Sequence, residues 1–147
     1  MQFTITLAAP EDLETILALQ RLAFRKEGEL YNDFSIPPLT QTLDQVRADF
    51  PHKVFLKATV AGTLVGSVRG SQNGGTCLVE RLIVHPDYQC HGIGTALMHA
   101  LEERFPAARR FELFTGYKSE NNLRLYRKLG YVESHREGIV VSMAMTR

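Results

Sequence analysis

Cysteine is scarce in this chain: Cys77 and Cys90 are the only two among 147 residues. That is too few for a disulfide framework, so a reducing cytoplasm is the expected compartment. Charge of either sign is also not in excess. Seventeen Lys and Arg stand against 16 Asp and Glu, a formal +1, and no basic face with interleaved aromatics occurs, so neither nucleic acid nor an anionic membrane is an expected partner. Long apolar runs are missing: none approaches the roughly 20 residues that a membrane span needs. The opening MQFTITLAAPEDLETI lacks the basic-then-apolar order of a secretion signal. The five histidines, His52, His85, His91, His99 and His135, show no ligand spacing with cysteines or carboxylates, so no metal is expected. There is no repeat and no low-complexity tract. What is present is a 44% hydrophobic chain of one-domain length, read as a single soluble domain over 1–147.

FTITL (3–7) alternates and is β-branched, which predicts a short strand. Pro10, Glu11 and Asp12 suit a helix start, and Leu13, Ile16, Leu17, Leu19, Leu22, Ala23 and Phe24 give it an apolar face to about residue 25. KEGELYNDFSIPPLTQT (26–42) carries Gly28 and Pro37-Pro38 and is expected to be a long irregular connection of a kind that is often functional. A short helix over 42–50 follows. Three strand signals then run from 53 to 84, separated at Ala61-Gly62 and Asn73-Gly74-Gly75, an antiparallel meander. From Gly92, apolar residues at Ile93, Ala96, Leu97, Ala100, Leu101 and Phe105 follow helical spacing. RRFELFTG (109–116) reads as a strand. The next helix runs from Ser119, its expected N-cap, to Leu129, with Gly130 as the left-handed C-terminal cap. IVVSMAM (139–145) reads as a closing strand whose edge either pairs with a second subunit, making a homodimer, or is covered within the chain.

HPDYQCHGIGT (85–95) joins a strand to a helix through two glycines. Such a turn can aim several backbone amides at one point, at the positive end of the helix dipole, where phosphate binds. Glycine keeps side chains out of the way and permits positive φ. The alternative is an ordinary strand-to-helix turn. A triphosphate loop is excluded because Gly94 is followed by Thr95-Ala96 rather than Lys-Ser/Thr, and a dinucleotide fingerprint because Leu97 stands where a small residue is required.

In this context LVERLIVHPDYQCHGIGTALMHAL (78–101) resembles the acyl-coenzyme A signature of the GCN5-related N-acetyltransferases. The pattern is Arg or Gln, two residues, Gly, any residue, then Gly or Ala, here Gln89-Cys90-His91-Gly92-Ile93-Gly94. SENNLRLYRKLGY (119–131) resembles the second segment of the same superfamily. Two motifs in the right order are far more specific than either alone; the residues before them match only in pattern. The resemblance implies an α/β (α+β) fold, a mixed, mostly antiparallel central sheet flanked by helices, with the fourth and fifth strands splayed around a cleft. It implies acetyl transfer from acetyl-coenzyme A to a primary amine, directly within a ternary complex. The pyrophosphate would lie on the amides around Gln89, Cys90, His91, Gly92, Gly94 and Thr95, and pantetheine along Leu82, Ile83 and Val84. Asn122 would help to hold the cofactor. Position 91 is commonly Lys or Arg in the superfamily. With a histidine there, the side-chain type that can change charge between about pH 5 and 8, coenzyme A affinity is expected to weaken as pH rises, unless His91 is simply a solvated loop residue.

Tyr126 matches the tyrosine to which the superfamily assigns protonation of the coenzyme A sulfur, and a phenol can donate to charge developing there. The alternative is a core tyrosine packed on Leu129. Asn122 and Tyr126 are four residues apart and share a helical face. Glu80 alternates with Leu78 and Leu82 on the strand entering the cofactor loop and is the expected base, a carboxylate among apolar neighbours; an ion pair with Arg81 or Arg69 is the competing role. Tyr31 and Asp33 are expected to contact substrate, and Glu27, Glu29 and Asp33 would suit a cationic amine unless they only solvate their loop. No Gly-x-Ser-x-Gly elbow accompanies Ser119, which argues against a hydrolase. A non-catalytic acyl-coenzyme A sensor is the alternative class.

Overall fold

Phe55 and Leu56 are neighbours in one strand, and the two-residue period of a strand sends them to opposite faces. Phe55 packs with Leu13, Ile16, Leu17 and Val46, whereas Leu56 joins the larger cluster containing Leu97, Met98, Leu101, Leu123 and Tyr126. The computed structural model, which describes residues 1–147, is thus a sheet with helices on both faces.

The elements are β1 (Thr4–Leu7), α1 (Leu13–Tyr31), α2 (Pro37–Thr40), α3 (Leu43–Asp49), β2 (Val54–Val60), β3 (Thr63–Asn73), β4 (Thr76–Val84), α4 (Ile93–Glu103), β5 (Arg110–Gly116), α5 (Glu120–Lys128), β6 (Val132–Glu137) and β7 (Val140–Thr146). The seven strands lie in the order β1-β2-β3-β4-β5-β7-β6. Only β4 and β5 run parallel; every other pairing is antiparallel. This is the mixed, mostly antiparallel α/β sheet that the sequence implies, with α1 and α3 on one face and α4 and α5 on the other. No helix is long and apolar enough to cross a membrane.

Two expectations are corrected, and of the two alternatives for the closing strand the structure shows the one in which it is covered within the chain. Residues 26–31 do not begin an irregular connection: α1 continues to Tyr31 and ends on Asn32, which takes the left-handed conformation at φ 50°. Gly28 makes this helix end possible, since a Cβ there would meet the Phe34 ring and the Leu39 side chain at 2.8 and 2.9 Å. The closing strand, β7, is not an edge. It lies between β5 and β6, and the edge belongs to β6, whose residues are all exposed. Ser119 stands at the N-cap position of α5 but makes no capping hydrogen bond.

Candidate active site

The parallel pairing of β4 with β5 covers only Thr76–Arg110, Cys77–Phe111 and Leu78–Glu112. From Val79 onward the backbone edge of β4 has no strand beside it on that side. A β-bulge accompanies the parting: between Ser67 and Arg69 of β3, β4 advances from Ile83 to Glu80, one residue too many, and Arg81 sits at φ 54°. A bulge of this kind bends its strand and resets which residues face which side. Cys77 and Val79 before it, and Leu82 and Val84 after it, all pack toward α4. The alternation that would place Glu80 with Leu82 is therefore broken.

The gap so opened is a cavity of about 270 Å³, slightly below the usual range for a small-molecule pocket. It draws residues from both faces of the sheet. Phe24, Glu27 and Tyr31 reach it from α1, Asn122 and Tyr126 from α5, and Glu80, Arg81 and Leu82 from β4. Tyr126 is 7% exposed. Burial, and secondarily the nearby charge of Glu27, raise its pKa well above the ordinary tyrosine value, so its hydroxyl keeps its proton. The sequence expectation that Asn122 and Tyr126 share an inward face agrees with their joint place on the cavity wall.

Glu80 does not stand among apolar neighbours. Its carboxylate accepts from Lys53 Nζ at 2.8 Å, and Lys53 also reaches Asp49 at 3.5 Å. The expected ion pairs with Arg81 and Arg69 do not form, although Arg69 is the cross-strand neighbour of Glu80; the carboxylate is paired with Lys53 instead. The Tyr31 hydroxyl accepts from the Lys118 amide at 2.8 Å and lines the cavity. Asp33 does not line it; its carboxylate accepts from the amide and hydroxyl of Ser35 in the turn after α1.

Glu27 is the residue that sequence reasoning left among undistinguished loop charges. Its Oε2 accepts from Ser119 Oγ at 2.5 Å, so the serine expected to cap α5 instead fixes a carboxylate on the cavity wall. The signal was in the spacing: Gln20, Phe24, Glu27 and Tyr31 fall at intervals of four, three and four, a single stripe if α1 runs on past residue 25.

The connection from β4 to α4 begins at one mouth of the gap. Cys90 and Gly92 both take left-handed conformations, at φ 64° and 81°, on either side of His91, and such alternation makes a concave array of amides. The first backbone bond of the helix start runs from the Ala96 amide to the Gly92 carbonyl at 3.0 Å, which leaves the amides of Ile93, Gly94 and Thr95 as the free donors of the helix terminus. Gln89 and His91 are exposed. Gln89 Nε2 donates to the Val84 carbonyl at 3.3 Å, and His91 Nδ1 lies 3.3 Å from the Tyr88 carbonyl. A Cβ at Gly92 would meet nothing within 4 Å, whereas one at Gly94 would contact Leu125 at 3.4 Å. The array is thus open to solvent at Gly92 and packed against α5 at Gly94. Leu82 and Val84, half-buried, lie within about 4 Å of the Cβ position of Gly94, and Ile83 between them is buried. No group of three or more His, Cys, Asp or Glu is placed to hold a metal ion.

Known proteins share this architecture. The PaiA N-acetyltransferase of Thermoplasma acidophilum, solved in complex with coenzyme A, superposes over 100% of both chains with a TM-score of 0.87 at 18% identity. An acetyltransferase of the GNAT family from Staphylococcus aureus Mu50 superposes over 99% of both with a TM-score of 0.82 at 14% identity. In sequence, the chain is 28% identical over 132 residues to the UPF0157 protein YqkA of Bacillus subtilis, covering 87% of this chain and 38% of that one. It is 37% identical over 81 residues to an acetyltransferase of Yersinia pestis strain Pestoides F, covering 54% of this chain and 57% of the relative. The matches thus span well under two thirds of these relatives' lengths. The family model for the acetyltransferase (GNAT) family matches residues 14–131, a span that holds the splayed strands, the amide array and Tyr126 together, and the chain belongs to that family.

Proposed function

We propose that this protein is an N-acetyltransferase that moves an acetyl group from acetyl-coenzyme A to a primary amine, directly within a ternary complex. The observation that carries the reading is the continuity of the site. An amide array suited to pyrophosphate opens at one end of an unpaired β4 edge, and the cavity at the other end closes on a buried, protonated tyrosine. The coenzyme A complex of the PaiA relative and the acetyltransferase relatives support it.

The residues present fit the donor. Gln89, Cys90, His91, Gly92, Gly94 and Thr95 would hold its diphosphate, the free amides and the helix dipole opposing the negative charge. The backbone of Leu82, Ile83 and Val84 would accept the pantetheine arm as an extra strand, and Asn122 would steady it from α5. When bound, acetyl-coenzyme A supplies an acyl group activated as a thioester. Tyr126 holds a proton on its hydroxyl oxygen and donates a hydrogen bond where negative charge develops on the leaving sulfur. The amine must lose a proton, and two carboxylates reach the cavity. Glu27 is favoured as the base because only a neutral hydroxyl pairs with it. Glu80 is the alternative, but its carboxylate is already engaged by Lys53 Nζ at 2.8 Å. Tyr31 lies on the acceptor side. Asp33 belongs to this site only if acceptor contacts extend beyond the cavity.

Calorimetric titration with acetyl-coenzyme A, coenzyme A and NAD, followed by free-thiol release across an amine panel, tests the reading. Selective binding of the coenzyme A pair together with transfer supports it. Binding without transfer to any amine points to an acyl-coenzyme A sensor, and binding of none of the three overturns both.

A further inference from the structure

Arg81 is a cation without a partner inside the cavity. It occupies the bulge of β4 at φ 54°, a conformation that costs energy for any residue other than glycine, and it lines the same cavity as Glu27 and Tyr126. Its Nε is buried and finds no hydrogen-bond acceptor. The adjacent carboxylate, Glu80, is taken by Lys53 at 2.8 Å, and Asp49 by the same ammonium at 3.5 Å.

Arg69 deepens the imbalance. It is 1% exposed, it donates from Nη2 to Gln20 Oε1, and its guanidinium stacks over the Phe55 ring at 4.5 Å. Its Nε and Nη1 have no partner. Burial first, and the charge of Arg81 second, push the Arg69 pKa down to about 10; burial lowers that of Arg81 as well. Three cations, Arg69, Arg81 and Lys53, therefore face two carboxylates, and a partly desolvated guanidinium is stabilised by an anion that can fork onto it.

That anion is not the donor's diphosphate. The cavity is lined by no residue between 83 and 112, so Arg81 and the amide array around Gly92 belong to different parts of the site. Glu27, from α1, offers the same cavity a carboxylate for an ammonium, close enough to Tyr126 for its charge to act there. Apolar side chains, among them Phe24, Ile36, Leu82 and Leu113, make up much of the remaining wall.

Resting on the acyl-transfer reading above, we propose that the acceptor is an amine that also carries a carboxylate, an amino acid with an apolar side chain, and that Arg81 binds its carboxylate while Glu27 receives its ammonium. A guanidinium matches a carboxylate through two parallel hydrogen bonds. A phosphonate offers similar chemistry, which the test separates.

The test is calorimetric titration of the protein, saturated with coenzyme A, with leucine, methionine and phenylalanine, with their carboxamides, and with the phosphonate analogue of leucine. At least one free amino acid is expected to bind about ten- to a hundredfold more tightly than its carboxamide, the usual weight of a charge-assisted hydrogen bond. Arg81→Gln is expected to reduce that ratio to about threefold or less and Arg81→Lys to leave an intermediate one, since Lys keeps the charge but loses the fork. Equal affinity for acids and amides, no binding of any acid, tighter binding of the phosphonate, or a ratio unchanged in Arg81→Gln would each overturn the proposal. Because the comparison between acid and amide uses the unaltered protein, a misfolded variant does not decide it. Failure of the acyl-transfer reading shows separately, as absent coenzyme A binding. The amino acids and their carboxamides are then titrated into the ligand-free protein, where a preference of about tenfold or more for acid over amide upholds the carboxylate site and its absence overturns it.

Discussion

Tyr126 combines two properties that do not usually coincide in a core tyrosine: it is buried, and its hydroxyl shares a cavity with a carboxylate. If it serves as the acid, Tyr126→Phe removes a donor used only in the transition state. Turnover should then fall about a hundredfold or more while coenzyme A affinity stays within about twofold, measured by thiol release and calorimetry on the same preparation. The sign of its pKa shift adds a pH expectation. A raised pKa moves loss of the proton to higher pH, so turnover should show no alkaline decline through about pH 10, where an ordinary tyrosine titrates. The base is separated by Glu27→Gln against Glu80→Gln. The variant that lacks the base should lose the acidic limb of its pH–rate profile, and the other should keep it. At this scale the motif made Tyr126 and Asn122 legible. Glu27 and the Lys53 partner of Glu80 were not, because both depend on elements distant in sequence meeting across the sheet gap.

The element that carries the proposed donor site is the first turn of α4. Gly92 precedes it in a left-handed conformation with open space where a side chain would go, so Gly92→Glu meets no clash but strains the backbone locally, while placing an anion at an anion-attracting terminus. The expected result is a circular dichroism spectrum like that of the unaltered protein and coenzyme A affinity weakened about a hundredfold or more. Gly92→Asn, a residue that tolerates this conformation, should lose much less. Retained affinity in the Glu variant would remove the loop from the donor site. Elements whose pattern reflects burial were readable: α4 and α5 from their apolar stripes, and the β2–β4 meander from its turns. β6 was missed because VESHRE has no apolar alternation, both of its faces being exposed. The last turns of α1 were missed because Gly28 reads as a breaker, although it is held by the contact of Phe34 and Leu39.

For the molecule as a whole, the sheet order follows from the meander and the parallel step, but the cleft depends on a bulge that no sequence period announces. The same close packing sets the alkaline limit of stability. Cys77, fully buried in the main cluster, has its thiol pKa raised from 9.0 to about 11, chiefly by burial. Tyr126 and Tyr131 are raised as well, again chiefly by burial. A raised pKa means that the folded state keeps a proton which the unfolded chain releases. The stabilisation is therefore complete below pH 9 and is lost as pH climbs toward 11, with the tyrosines extending the loss upward. Urea unfolding at intervals from pH 7 to pH 11 should show little change with pH at the low end and a steepening loss above pH 9. Cys77→Ala should be less stable at pH 7 because it vacates core volume, and its decline between pH 9 and pH 11 should be shallower. If the two proteins decline in parallel, the thiol in β4 is not what the alkaline chain must ionise in order to unfold.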